Sequence, residues 1–199
     1  GGTAGIRSLY TFITSDEDRR QLLLGQRAPR VDKSLKLSKS YHPDYDDIIL
    51  KAKQAQDYFL LIGPPGTGKT SQALQFLVRE QLATNPTSQS STPKSQSSIL
   101  LLAYTNRAVD EICGMLTANQ LDYVRIGNEF SCDPKYSDHL LSSLLGENPN
   151  LASIREKISS AQIIVATTST MNSRSALFNI KHFDLAIIDE ASQILEPNI

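Results

Sequence analysis

Gly63-Pro64-Pro65-Gly66-Thr67-Gly68-Lys69-Thr70 constrains the fold more than any other stretch of this sequence. It follows the pattern G-x-x-x-x-G-K-[ST] and stands between an apolar run, Tyr58 to Ile62, and a segment with Ala73, Leu74, Leu77 and Val78 on one helix face. A strand that curls through glycines into a helix turns successive backbone N–H groups inward, and the helix N-terminus adds a potential favourable to anions. Residues 63–70, with Ser71 beside them, are therefore read as a cradle for the phosphates of a nucleotide. Lys69 is expected to reach the β and γ phosphates, and the Thr70 hydroxyl to bind Mg²⁺.

A phosphate loop of this kind sits on a parallel sheet, and the rest of the chain has the matching pattern. Ile99 to Tyr104, Tyr123 to Ile126, Ile163 to Ala166 and Leu185 to Ile188 are short runs without polar alternation, as strands buried on both faces require. Amphipathic segments lie among them: Val109, Ile112, Cys113 and Leu116 share a helix face, Leu140 to Leu145 and Leu151 to Ile158 suggest two more helices, and Ile48, Ile49 and Ala52 suit a short one upstream. The fold class is α/β, a parallel sheet with helices on both faces. Residues 84–98, rich in Ser, Thr, Gln and Pro, are too polar to pack and are expected to form a flexible loop.

A phosphate-bound metal needs a carboxylate at the end of a neighbouring strand. Leu185-Ala-Ile-Ile-Asp189-Glu190 supplies it: Asp189 emerges at the C-terminal end of a buried strand as the expected metal ligand, and Glu190 stands beside it as the candidate base for an attacking water.

Charge and composition narrow the class. The 199 residues carry 20 basic and 21 acidic side chains, so no global positive field draws nucleic acid to the chain. Residues 1–40 hold eight basic against four acidic residues, which makes residues 1–44 a basic segment or linker ahead of the sheet-forming part, 45–199. No apolar run approaches the roughly 18 residues of a membrane span, and no membrane partner is expected. Cys113 and Cys132 imply no disulfide framework and favour a reducing compartment inside the cell, cytoplasmic or nuclear. Cys132 and His139 lack the paired spacing of a zinc site, and His42 and His182 are read as surface residues. The sequence begins Gly1-Gly2 and stops ten residues after Asp189; it reads as an excised piece of a longer protein.

The same loop string occurs in AAA+ ATPases, so the family rests on other residues. Ala103-Tyr-Thr-Asn-Arg-Ala-Val-Asp-Glu-Ile112 and Asp189-Glu-Ala-Ser-Gln193 resemble motifs Ia and II of superfamily 1B helicases, the group of RNA-surveillance helicases and replication flap-processing helicase-nucleases. Asp57-Tyr-Phe-Leu-Leu-Ile62 is closer to the flap-processing branch. The resemblance covers residues 45–199 and implies the first RecA-like lobe of an ATP-dependent helicase travelling 5′ to 3′, with single-stranded DNA or RNA and a second RecA-like lobe of the same chain as partners. It implies contact between Thr105 and Asn106 and the nucleic-acid backbone, which suits a Thr-Asn pair between strand and helix, although simple helix capping explains the pair as well. Ala166-Thr167-Thr168-Ser-Thr170 resembles motif Ic, a further strand contact, or is a polar turn. Arg125-Ile126-Gly127 resembles a family strand end without an assigned role.

The sequence departs from the family in two respects. The Gln that usually reads adenine is missing from Tyr41 to Asp47, where Tyr45 stands at the corresponding position and is offered instead as a base-stacking ring. The later motifs, with the arginines of the second lobe, are absent as well, so the 199 residues alone are expected to bind ATP and Mg²⁺ without turning ATP over. Two other readings remain: an AAA+ remodelling ATPase acting on protein, and a nucleotide-gated binding module without turnover.

Overall fold

The computed structural model describes residues 31–54, 59–61, 69–83, 98–181 and 183–189, and of 59–61 and 69–71 the backbone. Five strands run parallel in the order β1-β5-β2-β4-β3, where β1 is Phe59–Leu61, β2 Ile99–Ala103, β3 Val124–Arg125, β4 Ile163–Thr167 and β5 Leu185–Asp189. Chain neighbours β1 and β2 are thus separated in the sheet by β5, which makes the C-terminal ends of these three strands the topological switch point where ligands bind in such sheets.

The pleat sorts the apolar runs into two cores. Ile99, Leu101 and Ala103 of β2, Ile163 and Val165 of β4 and Ile187 of β5 face one layer, whereas Leu100, Leu102, Ile164, Ala166 and Ile188 face the other. The first layer holds α1 (Asp46–Gln54), α2 (Lys69–Ala83) and α3 (Asn106–Ala118), which insert Ile49, Leu74, Leu77, Val78, Val109, Ile112 and Leu116. Opposite, α4 (Leu141–Leu145), α5 (Leu151–Ser160), α6 (Thr168–Ser173) and α7 (Ser175–Phe178) contribute Leu141, Ile158, Met171 and Phe178. Every residue of β2 and β4 is buried, so an unbroken apolar run was the right sequence signal for them.

The connection between β3 and α4 is built from two 3₁₀ turns, Glu129–Ser131 and Pro134–His139. These turns and the short helices α6 and α7 had no counterpart in the sequence reading, because segments of three to six residues carry too little periodicity to be seen. Among the described residues, no helix is long and apolar enough to cross a membrane.

The described residues add detail to three sequence expectations. The boundary placed at 44/45 does not coincide with a break in packing: Leu37 and Tyr41 pack against the first core, and Asp32 N–H donates to the Gln54 carbonyl at 2.8 Å. The polar stretch expected as a loop through residue 98 ends earlier, since Ser98 is buried and its N–H donates to Asp184 Oδ2 at 2.8 Å; the rest of that stretch, 84–97, lies outside the described residues. His42 is a surface residue, its Nδ1 accepting from Asp44 N–H at 3.1 Å and its ring contacting Tyr45.

Candidate nucleotide and strand-binding site

Parallel register determines what stands together at the C-terminal edge of the sheet. Leu61 of β1 pairs with Asp189 of β5, Asp189 with Ala103 of β2, and Ala103 with Thr167 of β4. These four residues form one row across the sheet, with adjacent strands about 4.8 Å apart. β1 ends at Leu61 in this row, and the chain is described again from Lys69, where α2 begins. Asp189 is half-buried at the row's next position, beyond which Glu190 follows. Tyr104, Thr105 and Asn106 continue from Ala103, and Thr168 continues from Thr167. Among the described residues, the register thus brings Asp189 and the starts of the segments 104–106 and 167–168 to one edge, away from Tyr45.

Residues Gly63, Pro64, Pro65, Gly66, Thr67, Gly68 and Glu190, and the side chains of Lys69, Thr70 and Ser71, lie outside the described residues. What the backbone supplies is the start of a 15-residue helix at Lys69, with Thr70 in its first turn and Asp189 on the strand beside the loop's origin. A hydroxyl in that turn and a carboxylate on that strand are the donor set that Mg²⁺ favours, hard oxygens with room for water and phosphate.

Thr105 performs the capping role. Its backbone is extended and its Oγ1 accepts from Ala108 N–H at 3.1 Å, satisfying one donor of the α3 terminus while the residue stays exposed. Asn106 is exposed at the first helical position. Thr167 caps α6 in the same way, accepting from Thr170 N–H at 3.0 Å, but Thr167 and Thr168 are both buried, so the motif Ic segment presents less side-chain surface than motif Ia does.

Tyr45 is in the wrong place for the adenine-stacking role expected of it. Its ring is 8% exposed, belongs to the first core and lies between His42 and Phe76, with centroids 5.1 and 5.8 Å away. Both neighbours are themselves rings, and burying Tyr45 against them leaves little of it to offer a base.

Arg125, whose role the sequence left open, proves to be a hub. The residue is 2% exposed. Nη1 is paired with Asp110 on α3 and donates to Cys132 Sγ at 3.3 Å, while Nη2 reaches both Asn106 Oδ1 and the Ser131 carbonyl at 3.4 Å. A buried arginine in an otherwise apolar strand was the available signal, since such a residue needs partners that only tertiary structure can supply. Burial pushes the Cys113 thiol up to about 11 and raises that of Cys132. Both are protonated at neutral pH and serve as small packing groups.

The fold and the sequence of this edge define the class: an α/β domain of the RecA-like P-loop kind. An AAA domain family model, AAA_11, matches residues 42–159 and 147–199, and the chain belongs to that family, within the superfamily 1B helicase group. Its relatives include the DNA replication ATP-dependent helicase/nuclease JHS1 of Arabidopsis thaliana, 30% identical over 200 residues, covering 95% of this chain and 14% of that protein. The DNA replication ATP-dependent helicase/nuclease DNA2 of Saccharomyces cerevisiae is 30% identical over 200 residues, covering 92% of this chain and 12% of the relative. The DNA2 of Homo sapiens is 32% identical over 148 residues, 74% of this chain and 13% of the relative. The chain therefore spans a small part of the relatives it matches.

Proposed function

We propose that this chain is the ATP-binding motor lobe of a DNA helicase that moves 5′ to 3′ along a single strand. The observation that carries the reading is the register row, which sets the phosphate loop's origin, Asp189 and the Thr105-Asn106 entry to α3 side by side. A nucleotide bound at one end of that row and a strand held at the other are coupled through two adjacent strands of a stiff sheet. DNA is the substrate favoured, because the curated relatives are named for DNA replication.

In this reading the backbone of residues 63–68 holds the phosphates, Lys69 neutralises the β and γ oxygens, and Thr70 and Asp189 hold Mg²⁺. Bound there, the metal supplies charge neutralisation on the phosphate oxygens. Glu190 accepts the proton of the attacking water. Thr105 and Asn106 grip a strand phosphate, with Thr167 and Thr168 at the neighbouring strand end. A second RecA-like lobe supplies the arginines, each worth roughly 10³ to 10⁵ in rate.

Nucleotide titrations with turnover assays test the assignment. Lys69→Ala is expected to lose Mg-ATP affinity while remaining folded, and wild-type affinity in that variant would remove the loop from the site. The 199 residues alone are expected to bind Mg-ATP with negligible strand-stimulated hydrolysis. Stimulated turnover that vanished in Glu190→Gln would show instead that the catalytic site is complete without a second lobe.

A further inference from the structure

Phe130 is 90% exposed, the greatest exposure of any large hydrophobic residue among those described. Full burial of such a ring is worth about 1.5 to 3 kcal/mol, so a compliant loop would fold it back against the protein. The turn that carries it is tied down at several points. Asn128 caps the 3₁₀ turn, its Oδ1 accepting from Phe130 N–H at 2.9 Å. The Ser131 carbonyl accepts from Arg125 Nη2. Asp133 N–H donates to Asp110 Oδ1 at 3.1 Å, the same oxygen that pairs with Arg125. Tyr136 packs so closely on Gly114 of α3 that a Cβ there would stand 2.8 Å from its hydroxyl. A turn this heavily tied to α3 holds its phenyl ring in water.

The turn is also locked to the strand-binding entry. One nitrogen, Arg125 Nη2, lies 3.4 Å from the Ser131 carbonyl and 3.4 Å from Asn106 Oδ1. The residue after Phe130 and the polar group at the start of α3 are thus held by a single buried guanidinium. Glu129 and Asp133 flank the ring in the chain, and their charges disfavour a phosphate at the turn. A base has no such conflict, and any base offers a π face to an aromatic ring.

We propose that Phe130 is a base-stacking platform for the single strand whose backbone is gripped at Thr105 and Asn106. The assignment rests on that strand-grip reading. Phosphate contacts place the strand at α3, and the Arg125-clamped turn meets a base a short distance away. Stacking of this kind tolerates any sequence, as a moving motor requires.

Fluorescence anisotropy of this chain with a labelled oligothymidylate, and with an abasic strand of equal length, tests the proposal. Phe130→Ala is expected to bind the oligothymidylate roughly 5- to 150-fold more weakly, as loss of one base–aromatic stack implies. On the abasic strand it should bind like wild type, and Phe130→Trp should restore the oligothymidylate affinity. Thr105→Ala with Asn106→Ala should weaken binding to both strands. Wild-type affinity in Phe130→Ala, with the Thr105/Asn106 variant weakened, overturns the platform and leaves the grip standing. An equal loss on both strands in Phe130→Ala overturns stacking as the contact. Absence of wild-type binding, or a Thr105/Asn106 variant that binds normally, overturns the grip and the platform with it. The exposure of Phe130 makes its substitution harmless to folding, so a thermal melt matching wild type accompanies each Phe130 result.

Discussion

Among the described residues two charges are buried, Glu80 on α2 and Arg125 on β3, and they do different work. Glu80 on α2 is 2% exposed and accepts from Ser38 N–H and Oγ at 2.8 and 2.6 Å, from Tyr41 Oη at 2.7 Å and from Lys53 Nζ at 2.6 Å. All of these partners lie on the segment 38–53, which the carboxylate straps onto α2. Arg125 is equally buried, yet its partners include Asn106 and Ser131, both exposed at the rim of the site. The first hub secures the segment 38–53 against α2. The second determines where two exposed groups stand relative to each other. Burial of a charge is thus not by itself a mark of function; what the charge holds in place decides.

The largest expected effect is on stability, at Glu80. Burial alone would raise its carboxyl, but the donors from Lys53, Ser38 and Tyr41 outweigh it and hold the group at about 2, against an ordinary 4.5. A depressed carboxylate stabilises the fold above its unfolded pKa and loses that contribution as pH falls through its folded one. Denaturant melts should therefore show roughly 3 kcal/mol lost between pH 4.5 and 2, a slope that Glu80→Gln flattens. At neutral pH, Glu80→Ala should cost about 3 to 5 kcal/mol by stranding Lys53, with strand affinity of the folded protein unchanged. A Glu80 variant that stayed folded and bound strands weakly would erase the distinction between the hubs.

Arg125→Lys tests the other side. An ammonium keeps the charge opposite Asp110 but lacks the fork that reaches Asn106 and Ser131 together, so about 1 to 3 kcal/mol of stability should go. Affinity for single strands should fall with it, and Phe130→Ala in that background should cost less than in wild type, because the ring is no longer held in register with Asn106. Full additivity of the two substitutions would show that the guanidinium does not link them.

The smallest effect sharpens what motif Ia does. Thr105→Ala removes the α3 cap at a cost of about 1 kcal/mol, and Thr105→Ser should recover it. If the Ser variant restores stability and strand affinity together, one hydroxyl serves both; if it restores stability alone, the Thr methyl or its neighbours carry the strand contact.

The sequence by itself determined which segments form the strands of the sheet. Unbroken apolar runs specify strands buried on both faces, and the phosphate-loop string with the Asp189-Glu190 pair names the chemistry, because each depends on residues adjacent in the chain. Val109, Ile112, Cys113 and Leu116 marked α3 for the same reason, as periodicity is a local property. Tyr45 shows where local reading ends: an aromatic residue at the family's adenine-reading position looks like a stacking ring until Phe76, 31 residues on, is seen to bury it. Arg125 and Phe130 are the reverse case. The apolar run around Arg125 marks it as a charge in need of partners but does not name them, since Asp110 and Asn106 reach it across 15 and 19 residues, and nothing beside Phe130 marks it as exposed. A buried charge takes its meaning from partners that satisfy it, and an exposed ring from the rigidity of what holds it. Both depend on chain segments meeting in space, and only the tertiary structure decides which segments meet.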